Sequence, residues 1–236
     1  LVLSPGAEPV SPPIPGIDGD GIYNIWTIPQ MDGILAWIEK TEPGHAVVVG
    51  GGYVGIEMAE NLRERGLSVS LVEMMDQVLS PLDYDMAQWC HRELADGGVD
   101  LRLGEQVTAF EPTGDSIRVR LKSGENIETG LVVLAMGVKP RSELARQAGL
   151  TLNDRGGIVV NDKMQTSDPS IYAVGDAVEV LDPVSGEPAM IPLAGPANKQ
   201  GRIAANVIAG IEDSYGGTLG ASVVKVFSLT AAAVGH

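Results

Sequence analysis

Apolar residues recur along this chain with two periods. Over 29–40, Met31, Ile34, Leu35 and Ile38 stand three and four positions apart, which predicts an amphipathic helix ending near Pro43-Gly44. Residues 46–50 hold three consecutive valines and predict a strand buried on both faces. A helix is predicted over 53–65, with Val54, Met58 and Leu62 on one face and Gly66 as its stop. A second strand is expected over 68–73, a helix over 83–95 ended by Gly97-Gly98, and a third strand over 99–103. The run β-α-β-α-β is the pattern of a parallel, doubly wound sheet.

The period then shortens. Segments 107–110, 116–121 and 126–128 are separated by turn residues at Thr113-Gly114-Asp115 and Ser123-Gly124, which predicts an antiparallel meander inserted into the parallel pattern. Buried strands resume over 131–136 and 171–174, and a last helix is expected over 197–209. Residues 5–20, with Pro5, Pro9, Pro12, Pro13, Pro15, Gly16 and Gly19, predict an irregular extended crossover. Leu1-Val2-Leu3 and 223–227 are strand-like, and 229–234 is apolar with no polar face. Naked core segments at both ends have to pack against something, so the chain is expected to be a piece of a longer polypeptide, the other reading being that both ends tuck into a partner.

Composition narrows the function classes. With 31 acidic against 16 basic residues, the 236-residue chain carries a formal charge of −15, which disfavours nucleic acid and anionic membranes as partners. The apolar run 131–136 is far short of the roughly 20 residues that span a bilayer, and no signal peptide opens the chain; a cytoplasmic protein is expected. A single cysteine excludes an internal disulfide or a cysteine-built zinc site. Cys90 shares a helical face with Met86 and Leu94, so a buried, unreactive thiol is expected even with His91 adjacent. His45 and His236 belong to no visible metal or triad constellation, and no metal is expected.

The chemistry concentrates at Gly50-Gly51-Gly52-Tyr53-Val54-Gly55. These residues contain G-x-G-x-x-G where a strand meets a helix, inside a 28-residue unit from Ala46 to Glu73. In that context Gly50 permits the tight turn and Gly52 lets backbone N–H groups reach a pyrophosphate. Gly55 permits close helix–strand packing, and the helix N-terminus adds partial positive charge. Glu73, 23 residues after Gly50, is placed to accept the ribose hydroxyls of an adenosine half. Its carboxylate would repel a 2′-phosphate, and Met74, Met75 and Asp76 offer no arginine for one, so NAD(H) is favoured over NADP(H).

Longer segments resemble the FAD- and NAD(P)-dependent pyridine nucleotide-disulfide oxidoreductases. The stretch 166–176, Thr-Ser-Asp-Pro-Ser-Ile-Tyr-Ala-Val-Gly-Asp, is similar to that family's second FAD motif. Ser4-Pro5-Gly6 and Ala135-Met136-Gly137 resemble its paired turns that close the FAD and NAD halves. Residues 191–202, 225–227 and 229–235 resemble the subgroup of coenzyme A-disulfide reductases, NADH oxidases and peroxidases, and persulfide reductases.

The resemblance implies that hydride passes from NADH to FAD and on to a disulfide, persulfide or peroxide. It implies an NAD set of Gly50, Gly51, Gly52, Tyr53, Val54, Gly55, Glu57, Glu73, Ala135, Met136 and Gly137, with Tyr53 covering the flavin and Glu57 near the carboxamide. The FAD set is Ser4, Gly6, Gly175, Asp176 and Ala194. By the same resemblance, residues 1–28 end a first FAD segment and its crossover, and 29–137 bind NAD. Residues 138–210 form a second FAD segment and 211–236 begin a dimer-interface domain, with a homodimer implied for the full-length protein. The family's first glycine motif and redox cysteine are not in this sequence, so no catalytic residue is assigned within it, and weak or no FAD binding is expected of it alone. Two other readings stay open: a ferredoxin-reductase-like flavoprotein without a redox cysteine, and a non-catalytic NAD-binding module.

Overall fold

The computed structural model describes residues 1–235. In chain order its elements are β1 (Val2–Leu3), β2 (Ala7–Pro9), β3 (Ile22–Asn24), α1 (Ile28–Thr41), β4 (His45–Val49), α2 (Tyr53–Glu64), β5 (Ser68–Glu73), α3 (Tyr84–Asp96) and β6 (Val99–Leu103). They continue with β7 (Val107–Thr113), β8 (Ser116–Leu121), β9 (Asn126–Thr129), β10 (Leu131–Leu134), β11 (Val138–Pro140), α4 (Glu143–Gln147), β12 (Ile158–Val159) and β13 (Tyr172–Ala173). The last are β14 (Val178–Leu181), β15 (Pro188–Ala189), α5 (Ala194–Ile208), β16 (Ala221–Val226) and β17 (Leu229–Val234). The chain divides into two compact units, one of residues 9–137 and 223–233, the other of residues 1–8, 138–222 and from Val234 onward.

The first of these units is built on a five-stranded sheet of order β3-β10-β4-β5-β6, parallel throughout. The valine run of β4 explains why both faces are covered. Ala46 and Val48 point into a core with Ile34 of α1, Ile56, Ala59 and Leu62 of α2, and Cys90 and Leu94 of α3. Val47 and Val49 point the other way, against Phe110 of β7 and Ile117, Val119 and Leu121 of β8. The antiparallel meander β7-β8-β9 therefore covers the second face of the sheet. Each valine fully buried in this way contributes about 1.5–3 kcal/mol.

Three side chains expected to face the core lie outside it. Val54, Met31 and Met86 are exposed. In α2 the inward residues are Gly55, Ile56, Ala59 and Leu62, because the small Gly55 and Ala59 allow the helix to lie close on the sheet, which rotates Val54 outward. In α3 the inward row is Ala87, Cys90 and Leu94, and Met86 sits about 100° away from Ala87. Cys90 itself is buried and burial pushes its thiol up, with Glu93 adding to the effect. Ala7–Pro9, inside the expected irregular crossover, is a short strand paired with β11. Pro9 ends it, as suits an edge strand where a missing N–H costs no ladder bond.

The second unit holds its own core around Ile158, Met164, Ala173, Val178 and Ala204. Here β1 pairs in parallel with β13, Val2 opposite Tyr172 and Leu3 opposite Ala173.

Residues 229–234, apolar in sequence, form β17, joined to β16 by the turn Phe227-Ser228. Two carboxylates hold the tip of this hairpin. Glu60 of α2, only 6 % exposed, accepts from Lys225 Nζ and from the Phe227 N–H at 2.9 Å. Glu93 of α3 accepts from both the hydroxyl and the N–H of Ser228, the latter at 2.7 Å, and the hydroxyl's bond in particular lowers the Glu93 pKa. A depressed carboxylate stabilises the docked tip above its ordinary value near 4.5, and that contribution is lost as pH falls through the lowered value. Glu60→Ala strands the Phe227 N–H and should cost about 1–3 kcal/mol in urea unfolding, whereas exposed Glu64→Ala should stay within about 0.5 kcal/mol.

Candidate functional site

Strand β4 has β5 on one side and β10 on the other, which places a topological switch point at its C-terminal end. Three segments meet there. Gly50 continues β4, with its N–H bonded to Val72 O at 2.8 Å, and Ala135 continues β10, with its N–H bonded to Val49 O at 2.8 Å. Glu73 ends β5.

The glycines of the turn are not equivalent. Gly50 has φ +109°, and a Cβ on it would lie 2.3 Å from the Ala135 carbonyl oxygen. A Cβ on Gly55 would lie 1.9 Å from the Gly50 carbonyl oxygen, so the first turn of α2 rests directly on the end of β4. Gly51 is buried against Val78 Cγ1 and the Glu73 side chain, at 2.9 and 3.2 Å from a Cβ. Gly52 differs from all three. It caps α2 at φ −76°, ψ −172°, a conformation open to any residue, and nothing stands within 4 Å of where its Cβ would be. The fold requires glycine at 50 and 55; at 52 only something outside the chain would.

The Glu73 carboxylate faces this turn. Its Oε2 accepts the Gly51 N–H at 2.6 Å and its Oε1 accepts the Met75 N–H at 2.8 Å. Each carboxylate oxygen has two acceptor sites, so capacity for two hydroxyls remains. The segment after it, from Met74 to Leu82, contains no arginine or lysine. That segment is tied back to the turn, since the Leu79 N–H donates to Gly51 O at 2.9 Å. Tyr53 and Gly55 open α2, Tyr53 half-buried against the core; Val54 and Glu57 are exposed on the same helix. Met136 packs on the meander side of the sheet, and Gly137, at φ +86°, accepts the Val10 N–H at 3.0 Å. The sheet thus brings together the glycine turn, Glu73 and Ala135–Gly137. A polar cleft of about 370 Å³ near Thr41, His45 and Glu128 lies at the opposite end of β4 and includes none of these residues.

In the other unit, the parallel pairing of β1 with β13 carries Ser4–Gly6 and Gly175–Asp176 to neighbouring strand ends. Gly6 and Gly175 both have positive φ, +69° and +86°. The Gly175 N–H donates to Oε1 of the buried Gln200 at 2.7 Å, which ties the turn to α5, whose first residue is the exposed Ala194. Ser4, Gly6, Gly175, Asp176 and Ala194 thus all belong to this unit.

The pattern of residues alone did not single out Val78 and Leu79, and marked His91 only as a neighbour of Cys90; together the three brace the glycine turn from behind. The available signal was an apolar pair, Val78-Leu79, set between the polar residues Asp76-Gln77 and Ser80.

A parallel sheet with a glycine turn over its switch point and an acid closing the second strand defines a doubly wound dinucleotide-binding-type module. The chain belongs to the pyridine nucleotide-disulphide oxidoreductase family, whose model matches residues 1–201. It is 40 % identical over 230 residues to an NADH oxidase of Methanocaldococcus jannaschii, covering 97 % of this chain and 51 % of that protein. Among solved structures, the reduced CoADR-RHD of Bacillus anthracis is 52 % identical with a TM-score of 0.95, covering 99 % of this chain and 42 % of that one. An NAD-dependent persulfide reductase from A. fulgidus is 36 % identical, also with a TM-score of 0.95, covering 100 % of this chain and 43 % of that one. The chain spans about half the length of the curated relatives it matches.

The glycine geometry predicts a split in stability. Gly50→Ala and Gly55→Ala should each cost about 2 kcal/mol or more, from backbone strain and collision with a carbonyl. Gly52→Ala should cost less than about 1 kcal/mol, the scale of a changed helix cap. Urea unfolding of the three variants checks this.

Proposed function

We propose that this chain is the NADH-binding portion of a flavoprotein oxidoreductase that passes reducing equivalents from NADH through FAD to a disulfide, persulfide or peroxide. The observation that carries the reading is Gly52, a glycine that nothing inside the fold requires, facing open space at the N-terminus of a twelve-residue helix. The residues fit a dinucleotide. A pyrophosphate would take the space a Cβ would fill at Gly52, facing the backbone N–H groups of the first turn of α2. Glu73, already oriented by two N–H donors, would accept the adenosine ribose hydroxyls with its remaining lone pairs.

When bound, the nicotinamide supplies hydride and the flavin relays its electrons to the acceptor. The chain's own part is to bind and orient. Tyr53, Val54 and Glu57 on the first turns of α2, with Ala135, Met136 and Gly137 across the switch point, would line the nicotinamide side. Gly51 would keep the turn close to Glu73. Ser4, Gly6, Gly175, Asp176 and Ala194 would contribute to an FAD site, with the Asp176 carboxylate accepting from flavin hydroxyls. In this reading residues 29–137 are the NAD domain and 1–28 and 138–210 are FAD segments. Residues 211–236 would open a dimer-interface domain of a cytoplasmic homodimer. Family membership and the named relatives support the reaction class. Among the described residues no helix is long and apolar enough to cross a membrane.

Titration of the chain with NADH and NADPH tests the reading. NADH should bind more tightly, and Glu73→Ala should weaken NADH about tenfold or more while narrowing the gap to NADPH. Unchanged NADH affinity in Glu73→Ala would sink the assignment. In the full-length protein, stopped-flow mixing with NADH should bleach the flavin; a purely regulatory module would show no bleaching.

A further inference from the structure

The segment between β5 and α3 is held against the glycine turn by one histidine. Val78 donates its N–H to Nε2 of His91, on α3, at 3.1 Å. That nitrogen therefore carries no proton, and the ring proton sits on Nδ1, 3.3 Å from Gln88 Oε1. The next residue, Leu79, donates its N–H to Gly51 O at 2.9 Å. Gly51 in turn donates to Glu73 Oε2. The chain of contacts runs His91 to Val78-Leu79 to Gly51 to Glu73. Val78 and Leu79 are both buried, and Leu79 holds φ +49°, a left-handed conformation that a leucine keeps only when its surroundings enforce it.

We propose that His91 is a positioning residue of the nucleotide pocket, which in its neutral form holds the segment from Met74 to Leu82 against the glycine turn and so keeps Gly51 and Glu73 set for the dinucleotide. This rests on the NADH-binding reading above. A protonated ring would turn an N–H toward the Val78 N–H, and the bond would be replaced by repulsion. Burial lowers the His91 pKa, which the carboxylate of Asp76, in the held segment itself, partly opposes. Within α3, Gln88 is neutral and Arg92 is paired with Asp96. A histidine with a depressed pKa favours the held state fully above its ordinary value of 6.5, and loses that effect as pH falls below it. Between the released and held values, each pH unit weakens holding about tenfold.

The test measures amide-exchange protection at Val78 and Leu79 together with NADH affinity, at pH 7.5 and pH 5.5, in the 236-residue chain and in His91→Gln and His91→Phe. In the parent chain protection should fall at the lower pH, and NADH affinity should fall with it. His91→Gln, whose side-chain oxygen accepts at any pH, should keep both and lose the pH dependence. His91→Phe should lose about tenfold in both already at pH 7.5. Protection of the Val47–Val49 amides reports whether each variant folds. Protection at Val78 that is flat with pH in the parent chain, or unchanged in a folded His91→Phe, overturns the proposal. If NADH fails to bind the parent chain at any pH, the cofactor reading fails, while the exchange at Val78 still decides whether His91 holds the segment.

Discussion

A single close approach organises this fold: the first turn of α2 lies so near the end of β4 that a Cβ on Gly55 would come within 1.9 Å of the Gly50 carbonyl oxygen. That contact needs two residues without side chains, one of them at φ +109°. It sets the height of α2 above the sheet, and Ile56, Ala59 and Leu62 bury against the valine strand at that height. It also aims the helix N-terminus across the switch point, where the neighbouring strands deliver Glu73 and Ala135. Gly52 is the one glycine of the turn that packing leaves unconstrained.

Around that contact, carboxylates serve as hubs for backbone donors. Glu73 collects the N–H groups of Gly51 and Met75, and so joins the glycine turn to the segment behind it. Glu60 and Glu93 collect the N–H groups of Phe227 and Ser228, and fasten a hairpin that lies far away in sequence. An ionised carboxylate is a strong acceptor with four sites, so one side chain can fix two segments at once. In a chain with 31 acidic residues, some of the negative charge is therefore structural.

Much of this was legible in sequence because the relevant constraints are local. Valine runs mark strands buried on both faces, and the glycine spacing marks the strand–helix junction. The period-two segments mark the meander. What escaped depends on partners distant in sequence. Ile22–Asn24 is a three-residue strand that depends on its pairing with β10, over a hundred residues on. The outward turn of Val54 follows from the closeness of α2, which hydrophobic spacing does not encode. Residues 229–234 read as a featureless apolar stretch until paired with β16. His91 looked like a possible influence on the Cys90 thiol; its ring instead serves the Val78 N–H. For the FAD-type residues, composition gave no hint, and only similarity to a family's motifs singled out Gly175 and Asp176.

The central claim is that the space beside Gly52 and the Glu73 carboxylate are two ends of one nucleotide site. Adding ADP-ribose, which has the pyrophosphate and the adenosine ribose but no nicotinamide, to the isotope-labelled chain and following its amide resonances tests this most directly. The account predicts saturable shifts centred on Gly51, Gly52, Tyr53 and Met75, abolished by Gly52→Ala in a folded protein. Saturable binding that leaves these amides unmoved, or that Gly52→Ala does not weaken, would contradict it.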